Sequence, residues 1–209
     1  MGCAGARMNV EGWAFGFWQA WTYLAISLVS AAAIAAYLKR VDPKLLERRL
    51  RGPAAEKDTS QKLTQLAAAM AFLGTIVLSL LDHRFSWSHV PVVVTIAGCA
   101  LLAVGYLVIF LSLRENTFAA VNVAVESGQK VISTGPYAIV RHPYYVGLLV
   151  WVFATPLALG SWWGLLMLVP MVLVIASRIR YEEGFLNEHL CGYAACCQKL
   201  RYRLVPLIW

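Results

Sequence analysis

Charged side chains are scarce in this 209-residue chain: Asp, Glu, Lys and Arg make up 14% of it, against 60% hydrophobic residues. A soluble domain carries about 25% charged residues, so the composition excludes an ordinary water-facing surface and implies an integral membrane protein. Acidic residues are the scarcer sign, 11 against 18 Lys and Arg, for a formal charge of +7. In a soluble protein that surplus would raise nucleic acid as a partner. Here the basic residues flank apolar runs and form no nucleic-acid face, so no nucleic-acid partner is expected, and no obligate protein partner is evident. Cysteine is confined to Cys3, Cys99, Cys191, Cys196 and Cys197, which do not pair into a disulfide framework. The Cys191-x4-Cys196-Cys197 spacing has no two-residue knuckle gap, and no metal site is expected.

Long apolar runs are what is present. Residues 12–38, 63–81, 85–113 and 142–177 contain no Asp, Glu, Lys or Arg. A helix of about 20 residues crosses the hydrocarbon core, so each of the first three windows fits one span. As a single helix the fourth would reach about 54 Å at 1.5 Å per residue. Leu159, Gly160 and Ser161 put a turn near its middle, which predicts a short helical hairpin with arms at 145–159 and 162–177. The expected fold is therefore an all-α integral membrane protein of about five transmembrane helices, the last two a short hairpin. Residues 1–113 form a region of three helices, and residues 114–209 a second region holding the hairpin and a polar tail.

Five crossings put the two termini on opposite sides. With the N-terminus outside, 16 of the 18 basic residues fall inside: eight in the first loop, three in the third and five in the C-terminal segment. The positive-inside bias makes the C-terminus cytoplasmic. The alanines at 31–33, 35 and 36 resemble a signal-peptide cleavage region, but cleavage there would strand the most basic loop on the wrong side. Neither Met1-Gly2-Cys3 nor Leu207-Ile208-Trp209 fits a lipid-anchor pattern. Contact with membrane lipids is thus expected to be intrinsic. The first loop, 39–62, reads as a solvated connector with one amphipathic turn and no chemistry. The second, with His83 and His89, reads as ordinary surface. In the third, Val121, Val123 and Val125 alternate with Asn122, Ala124 and Glu126 ahead of Ser127-Gly128-Gln129, a weak hairpin signal.

Two polar clusters lie on the cytoplasmic side. In Gly135-Pro136-Tyr137 through Arg141-His142-Pro143-Tyr144-Tyr145-Val146-Gly147, Pro143 pushes His142 out of the helical region and suits the first turn of the following helix. His142 then stands at a helix N-terminus, where backbone N–H groups favour an anion. The same residues also suit an interfacial anchor, with tyrosines in the aromatic belt and Arg141 snorkelling. The second cluster is Arg178-Ile179-Arg180-Tyr181-Glu182-Glu183. Arg178 and Glu182 share a helix face, and Glu183 is turned about 100° away. The pair is either an i, i+4 ion pair or an arginine and a carboxylate facing a site.

Together with Arg178-Ile179-x-x-Glu182-Glu183-x-x-Leu186, Gly192-Tyr193 and Tyr202-Arg203-Leu204-Val205-Pro206, these segments resemble the isoprenylcysteine carboxyl methyltransferase family, within the membrane phospholipid methyltransferases. The resemblance covers residues 114–209. It implies an enzyme that uses S-adenosylmethionine as methyl donor, bound at the cytoplasmic face, and methylates a lipophilic or prenylcysteine-like acceptor at its carboxylate. By that resemblance Tyr137, His142, Pro143, Tyr145 and Glu182 contact the cofactor, the stretch Gln129, Lys130, Val131 and Ile132 lines it partly through backbone, and Arg178 faces the acceptor. A carboxylate acceptor is ionised at pH 7 and needs no base; an amine acceptor would need one, for which Glu183 or His142 is the candidate. Cys191 stands where relatives more often have proline. Phospholipid amine methylation, a nicotinamide-dependent membrane reductase and a non-enzymatic membrane scaffold are the alternatives.

Overall fold

The computed structural model describes residues 16–52, 56, 58–119, 121, 125 and 128–206. Among them run the α-helices α1 (Trp18–Val41), α2 (Pro43–Leu50), α3 (Thr59–Phe85), α4 (Val92–Glu115), α5 (Pro143–Ala158), α6 (Leu168–His189) and α7 (Tyr193–Lys199), with 3₁₀ turns at Gly135–Ala138 and Trp163–Met167. Among the described residues, four helices are long and apolar enough to cross a membrane: Trp18–Val41, Thr59–Phe85, Val92–Glu115 and Trp163–His189. α5 is a shorter apolar helix of 16 residues. This is the all-α membrane architecture that the composition implies. The Met1-Gly2-Cys3 and Leu207-Ile208-Trp209 segments and Arg7 lie outside the described residues, as do 122–124 and 126–127 of the expected hairpin. Val121, Val125 and the stretch from Gly128 to Ser133 carry no strand.

The helical hairpin turns where expected. α5 ends at Ala158, and Gly160 follows at φ +70°, a conformation that favours glycine. The two arms are unequal, however. The second continues through Arg178, Arg180, Glu182 and Glu183 to His189, because charge at a membrane boundary does not interrupt backbone hydrogen bonding; the helix stops only where Leu190 turns extended. The tip is tied down by Asp82 at the end of α3, which is buried and accepts hydrogen bonds from the Ser88 N–H at 2.8 Å and the Ser161 hydroxyl at 2.6 Å.

α4 and α5 pack backbone to backbone across the boundary between the two sequence regions. A Cβ on Gly105 would sit 2.8 Å from the Trp151 nitrogen, and one on Gly147 would sit 2.8 Å from the Ile109 nitrogen. Small residues permit this close approach, which van der Waals packing then rewards in lipid. α3 and α6 run antiparallel, since Tyr181 bonds Asp58, Arg178 bonds Gln61, and Gly74 lies against Met167. The first loop is more ordered than a solvated connector. Asp42 accepts a hydrogen bond from Leu45 N at 2.9 Å and Pro43 occupies the first turn, so α2 folds back and buries Leu45 against Leu38 and Leu113.

Candidate functional site

The Gly-Pro turn is built as its residues dictate. Gly135 takes φ +55°, and Pro136 opens a single 3₁₀ turn that buries Tyr137. The chain then emerges extended, and the Arg141 and His142 N–H groups donate to the carbonyls of Tyr202 and Arg203, both at 3.0 Å. The C-terminal segment is thereby docked along the turn. His142 precedes α5 as expected, with its carbonyl accepting from Tyr145 N and Val146 N.

Arg178, Glu182 and Glu183, toward the end of α6, take separate partners. Arg178 is buried and turns to the first loop rather than to Glu182: its guanidinium donates to Gln61 Oε1, to Glu56 Oε2 at 3.4 Å and to the Val121 carbonyl at 2.6 Å. Glu182 accepts from the Tyr145 hydroxyl at 2.9 Å. Glu183, on the neighbouring face, is a buried hub. It meets Arg141 at 3.1 Å and His142 Nε2 at 3.2 Å through one oxygen, and Arg203 Nε at 2.7 Å through the other. Its carboxylate therefore clamps the His142 turn and the C-terminal segment to α6.

These elements enclose a cavity of about 280 Å³. Of the residues singled out from sequence, Gln129, Lys130, Val131, Ile132, Tyr137, His142, Tyr145, Arg178 and Glu182 line it. Pro143, buried in the first turn of α5, and Glu183, in its clamp, do not. One part of the wall is polar, with Tyr137, Tyr145 and Glu182. Another is apolar and lies between α3, α5 and α6, with Ala68, Leu148, Val174 and Ile175. Burial pushes the Tyr137 hydroxyl up to about 12, with the Asn116 amide bond at 3.3 Å opposing it and the Glu182 charge adding to it. Burial likewise raises Tyr193, helped by the charges of Glu183 and Glu182. Both line the cavity as neutral hydroxyls.

Sequence reasoning missed the contribution of the first loop and α3. Arg49 on α2 lies over the Tyr144 ring, 4.6 Å from its centroid, and donates to the Tyr144 hydroxyl and to the Ala119 carbonyl at 3.0 Å. Thr64 and Gln65 of α3 complete the wall. Asp42-Pro43 and Asp58-Thr59-Ser60-Gln61 are helix-start signals, and Asp58 does cap α3. Bonds from Ser60, then Tyr181, hold its carboxyl below the usual range. Those signals could have turned the loop into helices, though not into a cavity wall.

With one polar and one apolar wall, the cavity fits an amphiphilic ligand. Arg141 Nε is buried beside it with no hydrogen-bond partner, a donor left for an anionic group. Glu182 offers the complementary acceptor.

Residues 93–191 match the model of the phospholipid methyltransferase family. Over 116 residues the chain is 31% identical to a Saccharomyces cerevisiae protein named protein-S-isoprenylcysteine O-methyltransferase, an alignment covering 50% of this chain and 45% of the yeast protein. The chain thus spans about half the length of that curated relative. The family match takes in the His142 turn, the hairpin and the Arg178–Glu183 segment, and the two findings together bear out the resemblance drawn from those motifs.

Proposed function

We propose that this chain, which is of the phospholipid methyltransferase family over residues 93–191, is a multi-pass membrane methyltransferase that uses S-adenosylmethionine to methylate the carboxylate of a lipophilic, isoprenylcysteine-like acceptor. The observation that carries the reading is the single cavity wall on which the separate motifs converge: the 129–132 stretch, the His142 turn, Tyr145 and Glu182 face one space that opens toward apolar residues of α3, α5 and α6.

When bound, the cofactor would supply an electrophilic sulfonium methyl for the acceptor oxygen, with a neutral thioether as the leaving group. Every other part of the task falls to this chain. Glu182, held by Tyr145, would accept from the cofactor's hydroxyls or ammonium, and Arg141 Nε would donate to its carboxylate. Tyr137 and Tyr193, kept neutral by burial, pack the cavity without adding charge. His142 is fixed by Glu183 and by its place at the mouth of α5, so its role is to position. Arg178, locked by Gln61 and Glu56, steers the acceptor carboxylate. No base is required, because a carboxylate is ionised at pH 7 and no proton moves in the transfer. Alignment and exclusion of water carry the rate. The basic first loop and C-terminal segment support a cytoplasmic orientation for this end of the bundle, by the positive-inside rule.

The test is calorimetric binding of S-adenosylhomocysteine to detergent-purified protein, wild type beside His142→Ala and Glu182→Gln. Wild type binds, and Glu182→Gln lowers affinity about tenfold or more, the usual loss for a hydrogen bond to a charged group. Absence of binding by folded wild type would refute the cofactor and return the chain to the reductase or scaffold reading. Binding together with methylation of a phospholipid amine, and of no carboxylate, would replace the acceptor.

A further inference from the structure

A side-chain amide in hydrocarbon surroundings is costly unless both its donor and its acceptor are satisfied. Gln65 on α3 violates this: its Nε2 and Oε1 are both buried and neither has a hydrogen-bond partner. The residue lines the cavity. Other polar residues of α3 near it are accounted for, since Gln61 is taken by Arg178 and Thr64 bonds the Ser60 carbonyl at 2.9 Å.

Position says which part of the cavity Gln65 serves. α3 and α6 are antiparallel, with Asp58 beside Tyr181 and Gln61 beside Arg178. Gln65 is four residues further along α3, about 6 Å toward the membrane interior from the Arg178 level. Glu182 and Leu186 lie on the opposite side of that level. The cofactor-facing residues and Gln65 thus flank Arg178 from two sides, with Ala68, Leu148 and Val174 on the side of Gln65.

We infer that Gln65 reads the methyl acceptor: its Nε2 donates to a carboxyl oxygen held by Arg178, and its Oε1 accepts from an N–H on the carbon beside that carboxyl. The inference rests on the proposed function, and it narrows the acceptor class to a carboxylate flanked by an α-nitrogen bearing hydrogen. An acceptor without that N–H leaves Oε1 buried and unpaired, the situation in which hydrogen-bonding sites discriminate most strongly. Gln65 lies outside the segment matched to the family, 93–191, so part of the acceptor's reading comes from outside the matched segment that holds Arg178.

The experiment compares full-length wild type with Gln65→Met, which keeps the length and removes both polar atoms. The probes are an N-acyl-S-farnesylcysteine and 3-(farnesylthio)propionate, which has no α-nitrogen, and S-adenosylhomocysteine binding and thermal melting are read on the same preparations. Wild type is expected to prefer the N-acyl acceptor about tenfold or more in kcat/KM. In Gln65→Met the preference falls to near one, S-adenosylhomocysteine affinity is unchanged, and the empty protein melts no lower than wild type because an unsatisfied amide has been removed. An unchanged preference overturns the inference. So does a lowered melting temperature, which makes Gln65 structural, or a loss of S-adenosylhomocysteine affinity, which puts it on the cofactor. If wild type binds S-adenosylhomocysteine and methylates neither probe, the acceptor assignment falls while the cofactor site stands. If wild type does not bind S-adenosylhomocysteine, the proposed function itself falls.

Discussion

Replacing Glu183 separates a clamp from a proton acceptor. Its side chain is 6% exposed, and its partners Arg141 and His142 are 12% and 5% exposed, so the core of this network is desolvated; the Arg203 side chain is 33% exposed. Removing one member of a buried ion pair costs about 3–5 kcal/mol because the other charge is left behind, whereas the Arg203 arm, partly in water, adds at most about 1 kcal/mol. Glu183→Ala is therefore expected to lose about 3–5 kcal/mol, a drop in Tm of roughly 6–20 °C for a chain of this size. Because the same carboxylate holds the His142 turn and the docked C-terminal segment, S-adenosylhomocysteine affinity falls with it. Glu183→Gln keeps the shape and one acceptor, and is expected to fall between wild type and Glu183→Ala on both readouts. The assays are thermal melting in detergent and calorimetric binding. A Glu183→Gln protein with wild-type Tm and wild-type binding but abolished turnover would refute the clamp and make Glu183 the base that an amine acceptor needs.

Arg178→Lys keeps the charge but cannot reproduce the planar fork that meets Gln61, Glu56 and the Val121 carbonyl. It should cost about tenfold to a hundredfold in kcat/KM while S-adenosylhomocysteine binding is kept, and equal losses in both would put Arg178 on the cofactor. Burial raises Tyr137 to about 12 in the folded protein, whereas an unfolded tyrosine titrates near 10. Its contribution to stability is complete below pH 10 and is lost as pH rises toward 12, so Tyr137→Phe should flatten the alkaline fall of Tm in that window. Cys196 lines the cavity with its thiol pushed up by burial, then by Cys197. At pH 8 it should alkylate more slowly than exposed Cys191, and more slowly again with S-adenosylhomocysteine present. Alkylation at the same rate with and without that ligand would separate the cavity from the cofactor.

The helices were legible because lipid imposes one rule, that backbone groups satisfy one another within each span, and apolar windows report where that rule applies. Their ends were less so. The charge-free window stopped at Ser177, yet α6 runs to His189, since helix termination depends on capping geometry and not on charge. In the site, the His142 turn was readable from local stereochemistry: Gly135 at positive φ, Pro136 and Pro143 each restrict the backbone without help from distant residues. The partners of Arg178 were not. An i, i+4 rule sees only Glu182, but the guanidinium goes to Glu56 and Gln61, 122 and 117 residues away, and only the antiparallel packing of α3 on α6 brings them there. The same packing brings Thr64 and Gln65, read as part of a featureless span, onto the cavity wall.

That packing also divides the proposed site in two. The segment matched to the methyltransferase family begins at residue 93 and holds Arg141, Tyr145, Glu182 and the 129–132 stretch that the proposal gives to the cofactor, whereas Arg49, Glu56, Gln61 and Gln65 come from α2, α3 and the loop between them. A methyl donor common to a family constrains the first set. In the second set Arg49 holds Tyr144 while Glu56 and Gln61 hold Arg178, and under the proposal the α3 residues of this set are free to change with the acceptor so long as something keeps the Arg178 guanidinium fixed. Glu56 and Gln61 do that here. It follows that exchanging α3 residues between members of the family should redirect acceptor choice without disturbing S-adenosylhomocysteine affinity, whereas exchanging the 129–142 segment should do the reverse. A chimera in which an α3 exchange at 61–68 weakens S-adenosylhomocysteine binding as much as it changes acceptor preference would show that the two halves are one recognition surface, and the division would fail.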